Sequence, residues 1–193
     1  MADRQTGWKR GGRAGFRRLQ HARIDMDRAS LITPLTWSEC KEAVRENNLS
    51  VLGRSVSQQN EYNLFVDAIK QRYCNVADYV LESKFGCAVR ENEQTGKLEA
   101  VVSGVLTEKR TDRLLLALND YPYHYEPGIV HYILWKVGSP ITSDEILRGV
   151  AEVEDVLRCK ENRCIDSCWY VNPAHLKSVL EIDHAHILLK IAQ

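Results

Sequence analysis

Asp183-His184-Ala185-His186-Ile187-Leu188-Leu189 joins two imidazoles to an apolar run near the end of a 193-residue chain. A short apolar run of this kind reads as a buried strand, here over 187–191. Side chains two apart on a strand share a face, so His184 and His186 present their rings together. Paired imidazoles on a rigid strand can bind phosphate, shuttle protons or ligate a metal. The plainer alternative is a pair of histidines capped by backbone groups at a sheet end.

Upstream of that strand, Arg113–Leu118, 130–137 and 168–171 carry further strand patterns, with one amphipathic helix over 143–157 between them. Ser143 with Asp144 and Glu145 supplies its start signal. Residues 87–91 and 97–103 flank the turn-rich Asn92-Glu93-Gln94-Thr95-Gly96 and predict a hairpin. Before residue 86 the texture is helical. Thr36 with Glu39 makes a capping-box start for a helix over 37–47, Tyr62, Phe65, Val66, Ile69 and Tyr73 fall on one face of a second over 57–73, and Val76 to Phe85 suggest a third. Helices, then strands, one crossover helix and closing strands define an α+β class with a largely antiparallel sheet.

The chain is long enough for one domain with a helical extension: 31–86 helical and 87–193 sheet-forming. Lys+Arg and Asp+Glu both number 26, which removes any global electrostatic case for a nucleic-acid or membrane partner. Residues 1–30 nevertheless hold eight Lys and Arg against three Asp, in a Gly- and Arg-rich setting expected to be a disordered tail. No stretch reaches the ~20 apolar residues of a membrane span. Six dispersed cysteines without a secretory signal predict reduced thiols and a cytoplasmic or nuclear location. Two metal sets are conceivable by residue type: Cys159, Cys164, Cys168 and His175, or His131 with His184 and His186. The cysteine set lacks the short knuckle spacing of structural zinc on both sides, the histidine set would leave an open position for water, and no cofactor is called for.

Asn119-Asp120-Tyr121-Pro122-Tyr123 is followed by Gly128 and His131 at a strand opening, and later by Asn172, Ser178-Val179 and the alternating histidines. In that order these pieces resemble the histidine-triad (HIT-like) superfamily. The resemblance implies a HIT-like antiparallel sheet with His184 as nucleophile and His186 as its partner. Asn119, His131, Asn172, Lys177 and Ser178 would then bind the ligand. Ile182 stands where that superfamily has its first histidine, and Lys177 where it usually has Gln. A second, longer resemblance runs over about 35–189. It includes Leu35-Thr36-Trp37-Ser38-Glu39, Leu52-Gly53-Arg54-Ser55, Tyr62, Tyr79, Glu126-Pro127-Gly128, Trp169-Tyr170-Val171-Asn172-Pro173 and His184-Ala185-His186. These are similar to an uncharacterised family that includes the fungal N-acetylglucosamine-induced protein.

Two functions follow as expectations. One is a protein that binds a phosphorylated small molecule or nucleotide and turns it over slowly, as a phosphoanhydride hydrolase or nucleotidyl transferase working through a histidine. Losing one aimed donor at Ile182 would cost on the order of 10²–10³ in rate. The other is a catalytically silent regulatory or adaptor protein that engages a protein partner through its N-terminal helices.

Overall fold

The computed structural model describes residues 31–101, 113–159 and 164–192; the basic segment 1–30 lies outside them. Four helices and two antiparallel sheets make up the described α+β fold. Three helices come first: α1 (Trp37–Arg45), α2 (Val56–Arg72) and α3 (Val76–Phe85). Each opens with the same reciprocal device. Thr36 with Glu39, Ser55 with Gln58 and Asn75 with Asp78 exchange side-chain and backbone hydrogen bonds, so each start is written within four residues. The first helix stops short of the expected 47, where Asn47 turns the chain with φ 54°. Gly86 ends α3 with φ 66°, a left-handed conformation that costs glycine little.

The predicted hairpin forms, as β1 (Val89–Glu91) and β2 (Leu98–Ala100), but as a sheet of its own. It is fastened to the helices, not to the main sheet. Ala100 donates its N–H to Asp78 Oδ1 at 2.9 Å, and Cys74 donates to the Leu98 carbonyl at 2.8 Å.

The main sheet contains β3 (Arg113–Leu118), β4 (Ile129–Val137), β5 (Cys164–Tyr170) and β6 (Asp183–Ile191) in the order β3-β4-β6-β5. Every neighbouring pair is antiparallel. The parallel strands β4 and β5 are joined over the sheet by α4 (Ser143–Cys159), with β6 inserted between them. β6 begins four residues before the expected 187, so His184 and His186 lie on the strand itself, opposite Trp135 and Ile133 of β4.

Side-chain alternation sorts the central strands onto two faces. Leu134, Ala185, Ile187 and Leu189 pack under Ile146, Val150, Val153 and Leu157 of α4. Gly149 lets α4 approach closely: a Cβ there would lie 3.1 Å from Leu134 Cδ2. The other face is covered by the N-terminal helices in two separate apolar clusters. Ile133, Trp135 and Val137 meet Ala77, Val80, Leu81 and Phe85 of α3. Leu188 and Tyr170 meet Cys40, Ala43, Leu49 and Leu52. His131, His184 and His186 belong to that same face by register, so a polar band runs between the two clusters.

The start of α4 differs from expectation. Thr142, not Ser143, caps it: Thr142 Oγ1 accepts from the Glu145 N–H at 3.3 Å, and Glu145 Oε2 accepts from the Thr142 N–H at 2.8 Å. The Thr-x-x-Glu spacing permits both bonds at once, which Ser143 with Ile146 could not.

Candidate functional site

The polar band borders a cavity of about 120 Å³ between the N-terminal helices and the sheet, near the ~150 Å³ that accepts a benzene-sized ring. The sheet contributes His184, His186 and Trp135; the flanking loops contribute Asn119, Asn172 and Ser178. The helical side contributes Arg54, Tyr62, Phe65, Tyr79 and Lys84. Aromatic rings form much of this wall. Phe65 stacks on Tyr121 with centroids 4.5 Å apart, and Tyr62 meets Tyr121 edge-on at 5.5 Å. Two cations, Arg54 and Lys84, face one carboxylate, Asp120, among the lining residues.

His184 is the distinctive group. The residue is 3% exposed, yet it lines the cavity. Nδ1 lies 2.9 Å from the Ile182 carbonyl oxygen, which can only accept, so Nδ1 carries the proton and Nε2 keeps its lone pair. Among the described residues Nε2 has no hydrogen-bond partner, and no buried side-chain nitrogen or oxygen goes unpaired. An unpaired Nε2 must therefore reach the open space of the cavity. Burial pushes the His184 pKa below the usual 6.5; the Ile182 carbonyl opposes the shift, Lys177 reinforces it and Asp183 opposes it. The ring is neutral at pH 7.

That depression links stability to pH. The unfolded chain takes up the proton near pH 6.5 while the folded chain resists it, so the contribution of the neutral ring is full above 6.5. It is lost as pH falls from there through the folded-state value. Melting temperatures at pH 7 and pH 5 are expected to drop more in the wild type than in His184→Gln. Equal drops would show that the ring is not held neutral by its burial.

His186 sits differently. Its Nδ1 lies 2.9 Å from His131 Nε2, and its Nε2 lies 2.9 Å from the Asn172 amide. Tyr170 stacks on it with an interplanar angle of 6°. Asn119 closes the chain: its Nδ2 lies 3.2 Å from His131 Nδ1, and its Oδ1 accepts from the Tyr121 N–H at 3.0 Å. At 2.9 Å, one of the two facing ring nitrogens must lack a proton, so the His131–His186 pair cannot carry two positive charges. The same contact argues against a metal between the rings. Two nitrogens bound at 2.0–2.1 Å to one tetrahedral ion would stand more than 3 Å apart. No group of three or more His, Cys, Asp or Glu among the described residues could hold a metal ion. The five described cysteine thiols, Cys40, Cys74, Cys87, Cys164 and Cys168, are free. Burial pushes two of them, Cys40 and Cys168, up to about 12.

The structure thus brings together His184, His186, Asn119, Asn172 and Ser178 of the expected site residues around the cavity, with His131 behind His186. Lys177 is not among the lining residues. Its Nζ bonds Asp183 Oδ1 at 2.7 Å. Ile182 is buried in the apolar cluster under α3. Sequence reasoning assigned no role to Arg54, Tyr62, Phe65, Tyr79 or Lys84. The available signal was that Arg54, Tyr62 and Tyr79 fall in the stretches that carry the longer resemblance.

Fold and site define an α+β protein with a buried histidine facing an aromatic-walled cavity under its N-terminal helices. The chain belongs to the family described as Protein of unknown function (DUF3605), which matches residues 36–190. It is 29% identical over 170 residues to Uncharacterized protein YPL067C of Saccharomyces cerevisiae, covering 79% of this chain and 77% of that protein. It is 24% identical over 179 residues to N-acetylglucosamine-induced protein 1 of Candida albicans, covering 81% and 68%. A solved structure, the Crystal Structure of HTC1, superposes with a TM-score of 0.51 at 25% identity over 80% of this chain and 84% of that one. No helix among the described residues is long and apolar enough to cross a membrane.

Proposed function

We propose that this protein binds a small phosphorylated molecule carrying a ring, a nucleotide or nucleotide sugar, in the cavity beneath α2 and α3, and turns it over slowly through His184. The observation that carries the proposal is the neutral ring of His184, a residue 3% exposed, with Nδ1 tied to a carbonyl and Nε2 turned to the cavity. The aromatic wall suits a base or sugar face, and Arg54 and Lys84 outnumber Asp120 on the lining, which suits an anion. A HIT-like reading of the sheet accords with this. The turn at 119–123 borders the cavity, His131 lies near the opening of β4, and both alternating histidines lie on the strand paired with it.

In the chemical step the Nε2 lone pair forms an N–P bond while the phosphoanhydride P–O bond breaks and the leaving phosphate departs with its electron pair. The Ile182 carbonyl, already accepting Nδ1–H, stabilises the charge left on the ring. Water then attacks phosphorus, the N–P bond breaks, the lone pair returns to Nε2 and the water's proton passes to solvent.

A silent regulatory role is the second reading. It draws on the geometry of His186, whose two nitrogens both serve the buried network, and on Ile182, which supplies no donor; one open imidazole suits binding better than fast chemistry. Thermal shift and calorimetry against nucleotides, nucleotide sugars and sugar phosphates, alongside His184→Ala, test the first reading. Expected are stabilisation of the wild type by at least one phosphate compound, weaker stabilisation of the variant, and a phosphorylated or nucleotidylated His184 by mass spectrometry after a short incubation. Binding with no adduct and no turnover favours the silent reading. No stabilisation by any phosphate compound sinks the proposal.

A further inference from the structure

Lys84 and Asp120 stand on the cavity lining in an arrangement that the reaction above does not use. Lys84 lies in the last turn of α3, and its Nζ donates to Asp120 Oδ2 at 2.7 Å. Asp120 belongs to the turn that follows β3, so the pair bridges the helical cover to the sheet across the cavity wall. The two side chains are 23% and 52% exposed. Ser178, also on the lining, is exposed.

We infer that Lys84 is the anchor for the ligand's phosphate and that Asp120 holds its place in the empty site, so that a terminal phosphate dianion enters by taking the ammonium from the carboxylate. This rests on the phosphate-binding reading and adds the residues that select the anion. The exchange is cheap because a pair this exposed is weak; releasing it costs the ligand no more than about fivefold in affinity. A dianion then gives the ammonium a stronger partner than a single carboxylate. Ser178, on the same lining, carries a hydroxyl that can donate to a phosphate oxygen. A neutral ligand would leave the pair intact and would be indifferent to both residues.

The same ammonium could meet a phosphate on a nucleoside or on a sugar, so the probes are AMP, a hexosamine phosphate and inorganic phosphate, with adenosine as the uncharged control. Calorimetry on the full chain is run on the wild type, Asp120→Asn, Lys84→Gln, Lys84→Arg and the Asp120→Asn/Lys84→Gln pair. Circular dichroism confirms that each is folded. Expected is a two- to fivefold gain in phosphate-probe affinity for Asp120→Asn and a loss of roughly 10–100-fold for Lys84→Gln. Substantial retention in Lys84→Arg is expected, with a double variant that follows Lys84→Gln. Which organic probe exceeds inorganic phosphate identifies the source. Phosphate probes that bind with the same affinity to wild type, Asp120→Asn and Lys84→Gln overturn the exchange while leaving phosphate binding in place. Absence of binding by every probe to wild type and to Asp120→Asn overturns both.

Discussion

Glu145→Gln is expected to cost about 3–5 kcal/mol of folding stability, read as a fall in the urea midpoint at pH 7 with an unchanged slope. Lys136 of β4 is 2% exposed on its side chain and Glu145 of α4 only 13%. Lys136 Nζ donates to both carboxylate oxygens, at 2.7 and 2.8 Å, and to the Pro140 carbonyl at 3.1 Å. Glu145 also accepts from the Thr142 N–H and hydroxyl at 2.8 and 3.0 Å, so one carboxylate both caps α4 and compensates a buried ammonium. Its neutral amide replacement keeps the size and part of the cap but leaves Lys136 charged without its anion. Lys136→Met is expected to cost less, because the remaining carboxylate is nearer solvent and keeps its Thr142 donors. The hydrogen bond from Lys136 holds the Glu145 pKa below 4.5, so the stabilisation is present above that pH and is lost as pH falls through the folded-state value. Wild type and Glu145→Gln should therefore converge in acid. A pH 7 loss below about 1 kcal/mol would mean that water reaches the ammonium.

This pair also shows where sequence reading runs out. The helix at 143 is legible from its apolar period and its acidic first turn, where acids complement the helix dipole. What the period cannot express is that a lysine nine residues away on a strand would be buried against that acid. The same limit explains the cavity. The apolar residues of α2 and α3 announce that these helices pack on something, and Tyr62 and Phe65 are among them. Only the tertiary arrangement shows that they cover the histidine face of the sheet and supply about a third of the cavity's lining residues. The histidines were legible because period-two alternation is local. The function of Lys177 was not, since its ammonium chose Asp183, six residues along the chain, over the cavity. β5 begins earlier than expected because Asp166 and Ser167 break the apolar pattern while the backbone stays paired. Asp166 accepts from Trp37 Nε1 at 3.0 Å and Lys41 Nζ at 2.6 Å, so contact with α1 compensates a carboxylate on a strand.

Replacing His131 by Leu is expected to destabilise the fold by about 2–4 kcal/mol, although His131 does not line the cavity. Leucine is close in size to imidazole, so the cost is polar and not steric. It removes the partner of His186 Nδ1 and a neighbour of the Asn119 amide inside a region where His131 and His186 are each 4% exposed. A buried polar group that loses its partner costs about 1–3 kcal/mol, and two are affected. His186→Phe should cost a similar amount, because His131 Nε2 and the Asn172 amide each lose a 2.9 Å partner. Combining His131→Leu with His186→Phe removes the facing nitrogens together, so the double variant should be more stable than the sum of the singles predicts, by 1 kcal/mol or more. That coupling separates two meanings of the conspicuous histidine pair. If His186 positions Asn172 and the cavity wall, its substitution weakens ligand binding and stability in parallel, while His184→Ala alone abolishes any covalent adduct at little cost in stability beyond its packing. If His186 itself exchanges protons with the ligand, His186→Phe should abolish turnover even under conditions that restore stability and binding. Additive stability losses in the cycle would show that the 2.9 Å contact carries no energy, and would remove the structural reason for keeping a second imidazole on β6.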